Sequence, residues 1–419
     1  MTCAVLSIGT ELTRGEILNT NASWLASSLT DLGLTVTEIV TVDDHEERIS
    51  AALDRLARTA RVIVATGGLG PTTDDLTARS VAGFLGAPLE RDVPSLDHIK
   101  RRLEQAGRPL TDSNAKQADV PRGAEVLPNA AGTAPGFSVR VRDVVAFFLP
   151  GVPREMERMF HEQVSSRVRQ LATHDTYQIK LRTFGLPEST LGDKLAGIEE
   201  SYPGVTIGYR ADFPEVDVKV RATASNQAEA RVLAERAIAE VRPRLAPWIY
   251  AEGEENFAAH VGRLLRSRGF TLALAESCTG GLMGHMLTIE PGASDFLLVD
   301  AVAYANSSKA KFLGVADDVL RWHGAVSPEV AAAMAEGVKR IAGADIGIGI
   351  TGIAGPGGAT DSKPIGLVYI SSAGPSGTVV REHRFSGDRL QIQTRAAYTA
   401  LQMVRTICLD VASTRELLK

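Results

Sequence analysis

Val62-Ile63-Val64-Ala65-Thr66-Gly67-Gly68-Leu69-Gly70-Pro71-Thr72-Thr73-Asp74-Asp75 is an apolar run that breaks into glycines and ends on two carboxylates. A short, unbroken apolar run rich in β-branched residues fits a strand buried on both faces, which is how strands of a helix-covered parallel sheet read. Glycines at the carboxyl end of such a strand let successive backbone N–H groups turn toward an anion, and the helix that follows adds its positive end. The stretch therefore predicts a phosphate-binding turn at Gly67, Gly68 and Gly70. Two readings of the acids stand side by side. Asp74 and Asp75 hold a divalent metal (Mg2+ or similar) against a diphosphate, because hard cations take oxygen ligands, or Asp74 caps the helix that begins near Leu76.

The same rhythm continues outward from this turn. Ala4–Ile8, Thr35–Val42 and Val62–Thr66 read as strands, and Ala22–Leu32, Ile49–Arg58 and Leu76–Leu85 as amphipathic helices. That alternation implies a parallel sheet with helices on its faces. Gly9-Thr10-Glu11 and Asn19-Thr20-Asn21 fall where the cleft should open, so Thr10 and Glu11 become candidate ligand contacts beside an ordinary turn reading. Asp44 begins Asp44-His45-Glu46-Glu47, a capping box that needs no further purpose. The first domain is assigned to 1–170.

Residues 175–250 read as a small α+β module. Gln178–Phe184, Val205–Tyr209, Val216–Ala222 and Trp248–Tyr250 are strands, with helices at Ser189–Leu195 and Gln227–Leu245. This order resembles the KH type of nucleic-acid-binding module, but the Gly-x-x-Gly loop of that type is missing, so a spacer or dimerisation unit is the better reading. The acidic break Ala251-Glu252-Gly253-Glu254-Glu255-Asn256 is expected to be a linker. A second α/β pattern fills 255–419, with strands at Thr271–Ala275, Phe296–Ala305, Ile346–Ile350, Ile365–Ser371 and Thr378–Phe385. The fold class is α/β: two three-layer α/β domains joined by the small α+β module.

Three clusters in the last domain carry chemistry. Strand Thr271–Ala275 runs into Glu276-Ser277-Cys278-Thr279-Gly280-Gly281 and a helix, so a nucleophile there has free helix N–H groups beside it to receive an oxyanion. Ser277 and Cys278 are both candidates, and spacing does not choose between them. Thr279 and Gly280 would face the substrate. Serine needs a base, and Tyr304-Ala305-Asn306-Ser307-Ser308-Lys309 supplies two candidates. Lys309 could accept a proton once burial lowers its pKa from about 10.4. Gly349 to Gly358 forms a second glycine loop after a strand, with Gly352 and Gly355 able to approach an anion. Arg389, after Ser386-Gly387-Asp388, offers a guanidinium fork for phosphate or carboxylate, or a partner for Asp388.

The balance of 45 Lys plus Arg against 50 Asp plus Glu, a formal net charge of -5, supplies no basic excess for a nucleic-acid backbone. Three distant cysteines suggest neither zinc nor a disulfide framework and fit a reducing compartment. Without an apolar stretch of roughly 20 residues, no membrane association is expected, and the location read from the chain is cytoplasmic.

Ser7-Ile8-Gly9-Thr10-Glu11-Leu12, the Gly67 to Asp75 turn, Gly132-Thr133-Ala134-Pro135-Gly136 and Leu149-Pro150-Gly151-Val152-Pro153-Arg154-Glu155-Met156 resemble the competence/damage-inducible protein family CinA. The resemblance implies a molybdopterin-binding-like first domain with metal-dependent ADP-ribose pyrophosphatase activity. The family's acidic positions fall on Asp44 and Asp75, and Asp43 stands where glycine is commoner. The last domain resembles the family's nicotinamide-nucleotide amidase, which converts nicotinamide mononucleotide and water to nicotinate mononucleotide and ammonia. That likeness makes Ser277 the nucleophile, with Tyr304 and Lys309 assisting, Thr351 and Arg389 completing the site, and no cofactor required. It also implies a homodimer serving pyridine-nucleotide salvage. The rival reading is a nucleotide- or pterin-binding adaptor in competence or the DNA damage response, without catalysis in the first domain.

Overall fold

A computed structural model describes residues 1–172 and 174–409, which gather into two compact units, 1–178 with 221–234 and 179–220 with 235 onward. The last ten residues of the span assigned to the final domain lie outside the described residues.

In the first unit the strands are β1 (Thr2–Ile8), β2 (Thr35–Val42), β3 (Val62–Thr66), β4 (Leu89–Arg91), β5 (Asp119–Pro121), β6 (Glu125–Leu127), β7 (Gly136–Val141) and β8 (Val144–Leu149). The main sheet runs β2-β1-β3-β8-β7-β6, and β4 pairs with β5 apart from it. β2, β1, β3 and β8 are parallel, whereas β7 runs against β8 and β6 runs against β7, so β7 alone is reversed. The wholly parallel sheet expected from the sequence thus fails at one edge. Arg142-Asp143 alone joins β7 to β8, with Arg142 at φ 56°, and two residues can only form a hairpin. β1 shows why its run carries apolar residues on both faces. Ala4, Leu6 and Ile8 pack with Leu53 and Leu56 on one face, while Cys3 and Val5 pack with Leu25, Leu29 and Phe160 on the other.

The middle module has β9 (Asp175–Phe184), β10 (Val205–Asp212), β11 (Glu215–Ala224) and β12 (Ile249–Glu252), in the order β10-β11-β9-β12. Helix Gln227–Leu245 lies between β11 and β12 in the chain. The acidic stretch expected as a linker is instead built in. Ile249–Glu252 forms β12 against β9, Glu254 pairs with Lys180, and the Asn256 side chain caps the next helix by accepting from Ala259 N. Tyr250 and Ala251 belong to the same apolar core as Phe257 and Val261.

The final domain adds β13 (Leu272–Glu276), β14 (Leu297–Val302), β15 (Ile346–Gly352), β16 (Leu367–Gly374) and β17 (Gly377–Arg384), ordered β14-β13-β15-β16-β17. β14, β13 and β15 are parallel, β16 runs against β15, and β17 runs against β16. Alternation again splits the core. Leu272, Leu274, Ile346 and Ile348 meet the helices Phe257–Arg268 and Arg389–Cys408, while Ala273 and Ala275 meet Val330, Met334 and Val338 of helix Pro328–Ala342.

Both domains reverse their strand order at the same kind of place. The chain leaves β1 for β2 on one side and continues to β3 on the other; it leaves β13 for β14 and continues to β15. In open α/β sheets, ligands bind outside the carboxyl ends of the strands at such a switch point. The residues that follow β1 and β3, and those that follow β13, β14 and β15, therefore form the two candidate sites. Among the described residues no helix is long and apolar enough to cross a membrane.

Candidate active sites

At the first switch point a cavity of about 480 Å³ is lined by Gly9, Glu11, Asn19, Thr20 and Asn21, by the Thr66 to Thr72 turn with Asp74 and Asp75, and by Asp44, Gly151 and Glu155. Gly67 is required there: its φ is +106° and a Cβ would stand 2.0 Å from the Ile8 carbonyl oxygen. The β3 turn therefore lies directly against the end of β1.

The acidic side chains do not cap helices. Helix Glu46–Thr59 starts after His45, and Asp44 Oδ2 accepts from Thr10 N at 2.7 Å and Thr10 Oγ1 at 2.9 Å. The parallel register of Ile8 with Val42 brings these two loops together, a contact that the local pattern of a capping box does not reveal. Thr10 thus holds Asp44 and is not among the residues lining the cavity. Helix Thr77–Leu85 likewise starts without a side-chain cap. Asp75 Oδ2 accepts from Thr72 N at 2.8 Å and Thr72 Oγ1 at 2.6 Å, and the Thr72 hydroxyl also holds the Asp74 carboxyl below the ordinary aspartate range.

Among the described residues no three His, Cys, Asp or Glu side chains converge as a metal cluster. The cavity offers carboxylates from separate loops, an all-oxygen donor set of the kind Mg2+ uses when one or two carboxylates share it with phosphate oxygens and water. Glu155 and Asn129, which the sequence reading left unassigned, organise the opposite lip. Asn129 Nδ2 donates to Glu155 Oε2 at 2.7 Å and to the Ala134 carbonyl at 2.9 Å, while Asn129 Oδ1 accepts from Gly132 N at 2.8 Å.

At the second switch point Ser277 follows β13, and Lys309, on helix Asn306–Leu313, reaches it across the gap. Lys309 Nζ donates to Ser277 Oγ at 3.0 Å, to the Ala303 carbonyl at 2.8 Å and to the Tyr304 carbonyl at 3.1 Å. The lysine is 1 % exposed, and burial pushes its pKa below the ordinary lysine value. Cys278 points elsewhere chemically: burial pushes its thiol up to about 12, so it stays protonated at neutral pH.

The helix N–H groups expected to be free are partly taken. Glu276, fully buried, accepts from Gly281 N at 3.0 Å and Gly284 N at 2.8 Å, and Gly280 N donates to the Ser277 carbonyl at 3.1 Å. Gln393 Nε2 donates to the Cys278 carbonyl at 2.7 Å and fixes the same turn from helix Arg389–Cys408. Neither Glu276 nor Gln393 was singled out from sequence. A signal existed for the second, because position 393 is four residues from Arg389 on one helical face. Among the described residues Thr279 Oγ1, which is buried, has no hydrogen-bond partner.

Tyr304 is brought to Arg389 rather than to Ser277. Arg389 Nη2 donates to the Tyr304 hydroxyl at 2.9 Å and Nη1 to the Gly355 carbonyl at 2.6 Å. Asp388 is not its partner; it caps the helix in a reciprocal capping box with Gln391. Thr351, 1 % exposed, donates to the Ala325 carbonyl at 2.7 Å and so braces the connection before helix Pro328–Ala342. Gly352 closes β15, where a Cβ would stand 2.7 Å from the Leu367 carbonyl oxygen, so packing against β16 already demands glycine.

Comparison with known proteins agrees with this layout. Family models described as the CinA C-terminal domain, a probable molybdopterin binding domain and the damage-inducible protein CinA KH domain match residues 254–408, 4–170 and 178–251. The module read as a spacer is thus similar to a KH domain, although it lacks the Gly-x-x-Gly loop. A CinA-like protein of Geobacter sulfurreducens is 44 % identical over 407 residues, covering 97 % of this chain and 98 % of the relative. One from Anaeromyxobacter sp. (strain Fw109-5) is 42 % identical over 403 residues, covering 96 % and 98 %. Among solved structures, a CinA protein of unknown function from Thermoplasma acidophilum is 32 % identical, covering 40 % of this chain and 97 % of its own, with a TM-score of 0.37. A CinA superfamily protein from Klebsiella pneumoniae is 31 % identical, covering 38 % and 100 %, with a TM-score of 0.36. Near-complete coverage at this identity, with three family models in succession, means that the chain belongs to the CinA family.

Proposed function

We propose that the final domain hydrolyses the carboxamide of nicotinamide mononucleotide to nicotinate mononucleotide and ammonia, with Ser277 as nucleophile and Lys309 as base. The observation that carries this reading is the buried 3.0 Å contact between Lys309 Nζ and Ser277 Oγ at a switch point. A neutral lysine has two N–H groups and one lone pair. The ammonium donates to all three oxygens; the neutral amine keeps its two N–H groups on the carbonyls of Ala303 and Tyr304 and turns its lone pair to the serine hydroxyl.

Ser277 Oγ attacks the amide carbon as its proton passes to Lys309 Nζ. The C=O π pair moves to oxygen, and the oxyanion is received by the N–H groups of Cys278 and Thr279 and by the Thr279 hydroxyl. Collapse breaks the C–N bond, and Lys309 returns the proton to the departing nitrogen as ammonia leaves. Water then cleaves the resulting ester by the same route, with Lys309 as base, and restores Ser277. Arg389, aligned by Tyr304 and Gly355, holds the substrate phosphate.

For the first domain the reading is ADP-ribose pyrophosphatase. Asp44 and Asp75 would hold a divalent cation, with Asp74 beside them, and that cation would neutralise charge on the diphosphate. Gly67, Gly68 and Gly70 cradle the phosphates, and Glu11 lines the same cavity. A homodimer fits the outward face of edge strand β14, where Leu298 is 45 % and Val302 49 % exposed. Three free, buried cysteines suit a cytoplasmic location.

The deciding experiment incubates the purified chain with nicotinamide mononucleotide alone, and with ADP-ribose plus Mg2+, and identifies the products. Nicotinate mononucleotide with ammonia, and AMP with ribose 5-phosphate, are expected. Release of free nicotinamide in place of ammonia would replace amide hydrolysis by glycosidic cleavage.

A further inference from the structure

The deamidation chemistry leaves unused a cavity of about 670 Å³ in the second unit, formed where β17 and helix Arg389–Cys408 meet the chain around Phe184, Phe213 and Trp248. Ligand pockets span roughly 300–1,000 Å³, so a small molecule fits. The walls are aromatic. Phe213 is 45 % exposed, Trp248 lines the cavity, and the rings of His383 and Phe385 stack with centroids 5.3 Å apart.

The polar groups are of two kinds. Arg395 lies over the Phe213 ring, 5.0 Å from its centroid, and Arg381 lines the cavity with it. Both can bind an anion through a planar fork. Glu215 is only 4 % exposed and already engaged: its Oε2 accepts from Arg182 Nη2 at 2.8 Å and from the Tyr398 hydroxyl at 3.4 Å, and the Tyr250 hydroxyl hydrogen-bonds its carboxylate. His383 Nε2 is buried and has no hydrogen-bond partner among the described residues. Buried polar atoms are normally satisfied, so a ring nitrogen left open on the cavity points to a ligand.

We propose that this cavity binds a nucleoside monophosphate. The flat base stacks on the aromatic walls with an edge toward His383 Nε2, and the phosphate takes the guanidinium groups of Arg381 and Arg395. Arg395 also donates to the carbonyl and, at 2.9 Å, to the hydroxyl of Ser386, which precedes Arg389 by three residues. An occupant that engages Arg395 therefore acts on the loop presenting Arg389. That consequence rests on the amidase reading; the binding site itself does not.

The test irradiates the full chain with 8-azidoadenosine 5′-monophosphate and maps the label by peptide mass spectrometry, a readout that involves neither enzymatic activity. Label is expected on peptides containing Phe213 or Phe385. AMP should compete for it at least tenfold better than adenosine, which lacks the phosphate. Phe213→Ala and Arg381→Ala, both at exposed positions, should each cut labelling there at least fivefold. Label found only elsewhere in the chain, or equal competition by AMP and adenosine, overturns the proposal.

Discussion

Lys309 Nζ stands 3.0 Å from Ser277 Oγ, and the two residues reach each other because β13 and β14 are parallel neighbours whose ends, Glu276 and Val302, share a register. The loops after the two strands must then lie side by side, so a lysine 32 positions away in the chain faces the serine. The same topology leaves Cys278 buried next to the nucleophile without giving it a base.

Ser277→Ala should lose deamidation by at least about 10³-fold, as variants of residues that act as one unit do. Lys309→Met should be comparable, because without a proton acceptor the hydroxyl stays protonated. Cys278→Ala should keep most activity, since a thiol held at about 12 is not the attacking group. Steady-state rates on nicotinamide mononucleotide check all three. An active Ser277→Ala beside an inactive Cys278→Ala would reverse the roles.

Deamidation should also rise with pH along a limb set by Lys309. Burial disfavours the ammonium form, so its pKa in the folded chain lies below the ordinary lysine value. Only the neutral amine takes the serine proton. Activity is therefore lost as pH falls through the folded pKa and is full above it. kcat/KM measured from about pH 6 to about pH 10 should show that acid limb, and Lys309→Arg, charged throughout, should show neither limb nor activity. A flat profile for the unmodified chain would remove Lys309 as base.

Much of this was legible in the chain because strand runs and glycine turns are local. The buried runs Val62–Thr66 and Ile346–Ile350 gave the strands, and the residues immediately after them gave the loops. What was not legible depends on which strands become neighbours. Asp44 reads as a helix cap until the register of β1 with β2 brings Thr10 to it. Tyr304 reads as a helper of Ser277 until Arg389 arrives from the closing helix. Glu276 stood in the motif throughout, yet a carboxylate aimed back at two glycine N–H groups becomes visible only when the turn is folded.

Tyr304→Phe separates positioning from chemistry. Its hydroxyl accepts from Arg389 at 2.9 Å, and a hydrogen bond to a charged group contributes about 1.5 kcal/mol, roughly tenfold in binding. KM for nicotinamide mononucleotide should rise by about that factor with kcat changed little. Nicotinamide riboside, without the phosphate, should feel the substitution much less, and Arg389→Ala should show the same split more strongly. A fall in kcat at constant KM would give the phenol a part in bond making.

A fragment beginning at Glu254 should retain the whole β14-β13-β15-β16-β17 sheet and its deamidation, at a cost in stability. It loses Tyr250 and Phe184, whose rings stand 4.8 and 5.3 Å from that of Phe257, and the Ile249 carbonyl that accepts from buried Arg405 at 2.9 Å. Removing large buried rings costs about 3 kcal/mol or more, so melting should fall by roughly 5–15 °C. Thermal denaturation of the fragment beside the full chain measures this, and coincident melting would return Ala251–Asn256 to the status of a passive tether.

Asp75 has two jobs that a single substitution confuses, because its carboxylate braces Thr72 N and Thr72 Oγ1 and also lines the cavity in which a cation would sit on a diphosphate. Asp75→Ala should abolish Mg2+-dependent cleavage of ADP-ribose and leave amide hydrolysis intact, but loss of the brace would give the same result. Asp75→Asn keeps an oxygen that accepts from Thr72 and removes the charge that attracts the cation. If the carboxylate holds metal, Asn should be as inactive as Ala, and raising Mg2+ should recover part of the rate only in the Asn variant, whose loop is still formed. Equal activity of Asp75→Asn and the unmodified chain at limiting Mg2+ would confine Asp75 to bracing the loop and move the metal role to Asp44 and Asp74.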